Sequence, residues 1–195
     1  VKTILIDCDG VLLDWETAFV SFLDGKGHPV YTETAYTLEE MFGIHSSRAM
    51  ALCQEFNNSA RIGFLNPLSG AVENIAKLSS DGFRFKCITS MGTCPFSHKL
   101  RIANLESIFG KVFDDYVFLG CGADKEEELR KYQGSNLFWI EDKAVNANTG
   151  VLCGLNSILL THRYNTEVYL DPKVTRCNNW DEIGNFIQNE TRRTQ

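Results

Sequence analysis

The feature that most constrains this chain is the alternation of short apolar runs with stretches of helical period. Residues 3–6, 85–89, 137–140 and 157–161 read as buried strands, with 116–119 as a fifth. Between them Val72, Ile75, Ala76 and Ser79 mark one helical face ended by Gly82, and Phe96, Leu100, Ala103 and Leu105 mark another ended by Gly110. Strands alternating with helices imply an α/β, Rossmann-like parallel sheet with helices on both faces.

One interval breaks the alternation. Trp15, Ala18, Phe19, Phe22 and Leu23 fall at helical spacing, a turn follows through Gly25 to Pro29, and a second helix carries Ala49, Leu52, Cys53 and Phe56. With no clear strand inside it, residues 15–66 read as a small helical cap, and residues 1–14 with 67–195 as the core. The polar stretch after Gln188 reads as a fraying tail.

At 195 residues and 44% hydrophobic, the chain can bury one core with a small appendage. A formal charge of -6 offers no basic field for polymeric nucleic acid. The seven cysteines (Cys8, Cys53, Cys87, Cys94, Cys121, Cys153 and Cys177) include no C-x-x-C pair. That argues against a disulfide scaffold or a structural zinc site and suits a reducing, cytoplasmic setting. Nothing resembles a signal peptide, and no run approaches membrane-spanning length.

The chemistry is concentrated where strands end. The stretch VKTILIDCDGVLLD closes a hydrophobic strand on Asp7 and Asp9, and burying ionised carboxylates is costly unless a cation or a reaction requires them. Thr89 and Ser90 end a second run, and Glu141 and Asp142 end LFWIED. In an open parallel sheet ligands bind at the carboxyl ends of the strands. Residues two apart project to one side, so Asp7 and Asp9 can address one point that Asp142 reaches from a neighbouring strand. This is a hard-oxygen site suited to Mg²⁺. Lys125, with Asp124 and Glu127 placed as a capping pair, falls in the first turn of a helix, where a cation opposes the helix dipole unless an anion sits beside it.

DCDGV, Thr89 of ITS, Lys125 and the IED ending at Asp142 resemble, in order and strand position, the four motifs of the haloacid dehalogenase (HAD) superfamily. The helical insertion lies where that superfamily places its first type of cap. The resemblance implies that Asp7 is a nucleophile forming an aspartyl-phosphate. It implies that Asp9 protonates the leaving oxygen and then activates water. The Asp9 carbonyl with the Asp7 and Asp142 carboxylates would hold Mg²⁺, Thr89 and Lys125 would grip the phosphoryl group with help from Ser90, and Glu141 would be a further ligand or, as the favoured role, stand behind the metal ligands. The superfamily's dehalogenases resemble D-x-Y where this chain has Asp9, so phosphate-ester chemistry is favoured.

A looser resemblance links DCDGVLLDW, NPLSGAVENIAKL, CITS and SILLTHRYN followed by NNWDEI to the 5'(3')-deoxyribonucleotidases. It implies a nucleoside monophosphate substrate, with Trp15 stacking on the base and Phe64, Tyr36 or Phe42 completing an aromatic wall. Packing within the cap is the competing role for Trp15. A sugar phosphate is the alternative substrate, and a catalytically silent HAD-like binding or regulatory protein is the alternative from another class. Lys99 and Arg101 could supply a second positive charge but read rather as a solvated helix face, and His28, His45, His98 and His162 read as loop or surface residues. Glu127 and Lys131 read as an exposed pair, and Cys8 as core. Exposed cap or strand-edge surface leaves room for a homodimer.

Overall fold

The computed structural model describes residues 2–32 and 37–193. Its strands are β1 (Lys2–Ile6), β2 (Phe83–Thr89), β3 (Phe113–Phe118), β4 (Phe138–Glu141), β5 (Asn156–Leu160) and β6 (Thr175–Cys177). They form one sheet in the order β3-β2-β1-β4-β5-β6, every neighbouring pair parallel. The helices are α1 (Trp15–Asp24), α2 (Leu38–Phe42), α3 (Ser46–Asn57), α4 (Ala71–Ser80), α5 (Pro95–Phe109), α6 (Glu126–Arg130), α7 (Ala144–Leu152) and α8 (Trp180–Arg193). The sequence conceals β6 because Thr-Arg-Cys carries no apolar run. Residues 189–193, read as the start of a frayed tail, belong to α8, which continues to Arg193.

Strand alternation divides the core. Ile4, Ile6, Phe85, Cys87, Ile140 and Ile158 face one layer, while Leu5, Ile88 and Trp139 face the other with Leu129, Cys153 and Leu155. Two helices are rotated from the faces that apolar spacing marks. α4 buries Ala71, Asn74, Ile75 and Leu78, and α5 buries Ser97, Arg101, Asn104, Leu105 and Phe109, leaving Phe96 and Ala103 exposed. In each case a polar side chain turns inward to partners. Asn74 donates to Gly70 O at 2.9 Å and Asp181 Oδ1 at 2.8 Å. Asn104 donates to Leu65 O at 3.1 Å and accepts from Leu65 N at 3.2 Å.

The chain leaves the core after β1 and returns beside its own exit. Asp14 N donates to Asn66 O at 2.9 Å and Leu68 N to Leu12 O at 2.9 Å, around an antiparallel bridge of Leu13 with Pro67. Helices α1 to α3 thus form an inserted unit, packed around Phe19, Phe22, Phe42 and Phe56. Ala49, Leu52, Cys53 and Phe56 of α3 are all buried. Helix α2 is an addition to the two expected there, and no strand lies in the insertion among the described residues. Among the described residues no helix is long and apolar enough to cross a membrane.

Candidate active site

The site starts from strand register. Ile6 of β1 lies opposite Ile140 of β4, and Asp7 N donates to Ile140 O at 2.9 Å. The next residues, Asp7 and Glu141, therefore project to the same face of the sheet, the face carrying Leu5 and Trp139. Lys125 rises into that face from the cap position preceding α6, rather than from its first turn. Its buried Nζ lies 2.7 Å from Asp7 Oδ1 and 2.8 Å from Glu141 Oε2, above the Trp139 ring. Glu141 Oε1 accepts the amides of Asp142 at 3.1 Å and Lys143 at 3.0 Å, and Oε2 also accepts Asn146 Nδ2 at 3.2 Å.

Oxygens of Asp7, Glu141 and Asp142 lie within 4.8 Å of one another. Burial and the Glu141 charge outweigh Lys125 at Asp7, pushing its carboxyl up to about 8. Asp142 is driven well upward by burial and by the charges of Glu141 and Asp7. Glu141 goes the other way: burial opposes ionisation, but Lys125 and the surrounding donors hold it down at about 2. Asp142 Oδ2 accepts the Tyr164 hydroxyl, whereas its Oδ1 is buried without a hydrogen-bond partner. A buried orphan oxygen beside two more carboxylates fits a hard divalent cation such as Mg²⁺.

Asp9 faces a different partner. Its carboxylate is gripped by Arg101 of α5, so Arg101 is a buried ion-pair residue and no part of a solvated face. Lys99 is exposed, as that expectation had it. Cys8 is core, with Sγ 2.9 Å from Arg101 Nη1. Gly10 must be glycine: its φ is +76°, and a Cβ there would strike the Asp142 carboxylate. Its carbonyl accepts His162 Nε2 at 2.7 Å, and His162 stacks on Tyr164. His162 is thus half-buried and structural, and His98 stacks against Phe118 at 4.0 Å. Thr89 is buried at the end of β2, and Ser90 Oγ donates to Ala123 O at 2.7 Å. Lys131 pairs with Glu128, not with Glu127.

A cavity of about 500 Å³ lies between these strand ends and the insertion, within the usual range for small-ligand sites. Asp7, Asp9, Thr89, Ser90, Lys125, Asp142 and Tyr164 line its floor, and Trp15, Leu38, Met41, Met50, Cys53 and Asn57 its roof. Trp15 is half-buried. It stacks on Phe19 at 4.4 Å, meets Phe56 edge-on at 5.6 Å and donates Nε1 to Asn57 Oδ1 at 2.8 Å. Phe64 does not belong to this cavity: it is 79% exposed and borders a separate depression with Ala18, Ser21 and Arg61. Its neighbours Ile62 and Leu65 are the buried positions of this stretch. Phe42 is likewise consumed by the insertion's core, and Tyr36 lies outside the described residues.

Tyr164 and Asn57 are absent from the sequence expectations, and Arg101 was placed on the wrong face. Tyr164 had a usable signal, since THRYN follows the carboxyl end of β5, beside β4. Asn57 had the helical spacing that places it one turn beyond Cys53.

No family model matches the chain. It is 26% identical over 136 residues to an uncharacterized 32.4 kDa protein from the Gp30-rIII intergenic region of Enterobacteria phage T4. That match takes in 66% of this chain and 49% of the phage protein, so the chain spans about half the length of this relative. Solved structures align over nearly the whole chain. The D,D-heptose 1,7-bisphosphate phosphatase from B. bronchiseptica, complexed with magnesium and phosphate, superposes with a TM-score of 0.63 at 14% identity, covering 97% of this chain and 99% of that one. A predicted phosphatase from Clostridium acetobutylicum gives 0.69 at 17% identity, covering 96% and 98%. A HAD-superfamily hydrolase from Ehrlichia chaffeensis gives 0.56 at 17% identity, covering 97% and 98%. The parallel sheet, its strand order and these superpositions together establish that the chain has the fold of the HAD-superfamily hydrolases.

Proposed function

We propose that this protein is a Mg²⁺-dependent phosphomonoesterase whose favoured substrate is a nucleoside monophosphate. The observation that carries the reading is the convergence of Asp7, Asp142, Glu141 and Lys125 at the carboxyl ends of adjacent strands, beneath a cavity large enough for a small phosphoester. The similarity to phosphatase structures supports it.

Asp7 attacks phosphorus: its Oδ–P bond forms as the ester P–O bond breaks, leaving an aspartyl-phosphate. Asp9 gives a proton to the departing alcohol oxygen. It then takes one from the water that attacks phosphorus and frees Asp7 with inorganic phosphate. Asp7, Asp142 and the Asp9 carbonyl would hold Mg²⁺, which supplies neutralisation of the phosphoryl oxygens when bound. Thr89 and Lys125 grip the phosphoryl group, with Ser90 on the adjoining loop. Glu141 has its oxygens occupied by Lys125, Asn146 and two backbone amides, so it anchors Lys125 and takes no metal. The roof suits a neutral organic group over a second anion, since Glu16 and Glu39 also line it. It offers the Trp15 ring, the Asn57 amide and the side chains of Leu38, Met41 and Met50. A nucleoside presents a flat ring to such a surface and hydrogen-bonding groups to the amide.

Phosphate release from nucleoside 5'- and 3'-monophosphates and from sugar phosphates, with Mg²⁺ or EDTA, tests the reading. Metal-dependent turnover favouring nucleotides, abolished in a folded Asp7→Asn variant, is the expected result. Full activity of Asp7→Asn would remove the aspartyl-phosphate route. Preference for sugar phosphates would remove the nucleotide assignment, and absence of turnover would remove the enzyme.

A further inference from the structure

Charge around the cavity is unevenly committed. Of the two lysines that line it, Lys125 is held by Asp7 and Glu141, whereas the Lys143 side chain has no hydrogen bond or ion pair among the described residues. Of the two glutamates, Glu16 is paired with Arg163, whereas the Glu39 side chain has no such partner among the described residues. Glu39 stands half-buried in the first turn of α2, in the part of the roof that Leu38 and Met41 make apolar. Lys143 enters from the core, at the junction of β4 and α7. Both charges are felt in one corner. Burial pushes the Cys53 thiol of α3 up to about 12, with Cys121 and Glu39 adding to the rise and Lys143 opposing it. Lys143 also opposes the rise that burial imposes on Cys121, while the leading influences on Asp7 and Asp142 include Glu141 and not Lys143. The Lys143 ammonium therefore belongs to the roof's surroundings more than to the floor's. Asn57 ties this corner to Trp15: its Oδ1 accepts Trp15 Nε1, and its Nδ2 lies 3.9 Å from Cys121 Sγ.

A half-buried carboxylate among apolar side chains loses hydration without return unless a donor reaches it. A carboxylate only accepts hydrogen bonds and an ammonium only donates them, so a ligand that serves both presents donors and acceptors along one edge. A flat ring lying on Trp15 carries such an edge in its own plane, and a nucleobase has this form. We infer that Glu39 and Lys143 determine specificity by reading the edge of the substrate's base, Glu39 accepting from its N–H groups and Lys143 donating to its carbonyl or ring-nitrogen atoms. The role rests on the nucleoside monophosphate reading and deepens it. Two other uses of the pair have different consequences. A latch between the insertion and the core, or a grip of Lys143 on the phosphoryl group, acts on every substrate alike, whereas base reading acts only where a base is present.

The experiment is kcat/KM, with Mg²⁺, for the four ribonucleoside 5'-monophosphates and for ribose 5-phosphate, which keeps the sugar and the phosphate and lacks the base, in the wild type, Glu39→Gln and Lys143→Met. In each variant the ratio of the preferred nucleotide to ribose 5-phosphate is expected to fall by about 10- to 100-fold, the loss that goes with a hydrogen bond to a charged group. Equal losses on nucleotide and ribose 5-phosphate would make the pair a latch or a phosphate grip and overturn the inference. An unchanged ratio in either variant overturns the role of that residue. The two residues stand on separate elements, so should one variant fail to fold, the other carries the same comparison. A wild type that favours no nucleotide over ribose 5-phosphate removes the nucleotide reading, and one that hydrolyses none of the five removes the phosphomonoesterase reading. Both outcomes are distinct from an unchanged ratio in variants of an enzyme that prefers nucleotides.

Discussion

Glu141 and Lys125 form an ion pair at 2.8 Å with their side chains only 0% and 2% exposed. Removing one partner of a buried pair leaves the other charge uncompensated. Here Asp7 also holds the ammonium, at 2.7 Å, which softens the loss. Glu141→Gln is expected to lower stability by about 3 kcal/mol in urea unfolding with EDTA present. Lys125→Met in the same background should add less than it costs alone, since its partner is already gone. Full additivity would mean that the two charges do not stabilise each other.

On the proposed reading, Mg²⁺ and protons compete for the same carboxylates. Asp7 is raised from an ordinary 3.8 to about 8, so between those values the metal-free folded state holds a proton that the unfolded chain has released. Its contribution to stability is complete below about pH 4 and is lost as pH rises through 8. In EDTA the Tm should therefore fall across that window. Mg²⁺ replaces the proton, so the rise in Tm on adding it should be larger at pH 8 than at pH 6. Equal shifts at both values would separate the metal from Asp7.

The strand ends were legible because register makes them so: Asp7, Glu141 and Asp142 each follow a hydrophobic run, and parallel strands gather their ends, whereas the Asp9 carboxylate, expected to address the same point, turns to Arg101. The helix faces were harder. Apolar spacing misplaced α4 and α5 because Asn74, Arg101 and Asn104 hold buried positions that only their partners explain. Those partners are distant in the chain, as Arg101 to Asp9 or Asn74 to Asp181 shows, and single-helix periodicity carries no information about them. Phe64 and Phe42 show the converse. An aromatic residue near a site in sequence can face solvent or the insertion's own core, and only packing decides which.

Asn57 joins the insertion to the core. Its Oδ1 accepts Trp15 Nε1 at 2.8 Å, while its Nδ2 donates to Met91 O at 3.0 Å in the loop after β2. Asn57→Ala leaves a donor and an acceptor unpaired in a buried setting, at a cost of about 1–3 kcal/mol. Hydrogen exchange should show the α1 and α3 amides opening more readily while those of β1 and β4 keep their protection. Uniform loss of protection would mean that Asn57 stabilises the whole molecule and not the junction.

Trp15 has two claims on it, and the structure assigns surface to both. The ring stacks on Phe19 and meets Phe56, yet it also lines the cavity roof. Trp15→Leu retains apolar bulk for the packing side but removes the aromatic face. If that face receives a base, KM for a nucleoside monophosphate should rise by the equivalent of about 1–3 kcal/mol, roughly 5- to 150-fold, because base stacking on an aromatic ring is worth that much. A small ester with no ring, such as glycerol phosphate, reaches the same floor residues without touching the roof, so its KM should change little. Equal rises for both would assign Trp15 to the architecture of the insertion alone. The contacts to Phe19 and Phe56 would then account for the residue in full, and the nucleotide reading would lose its aromatic support.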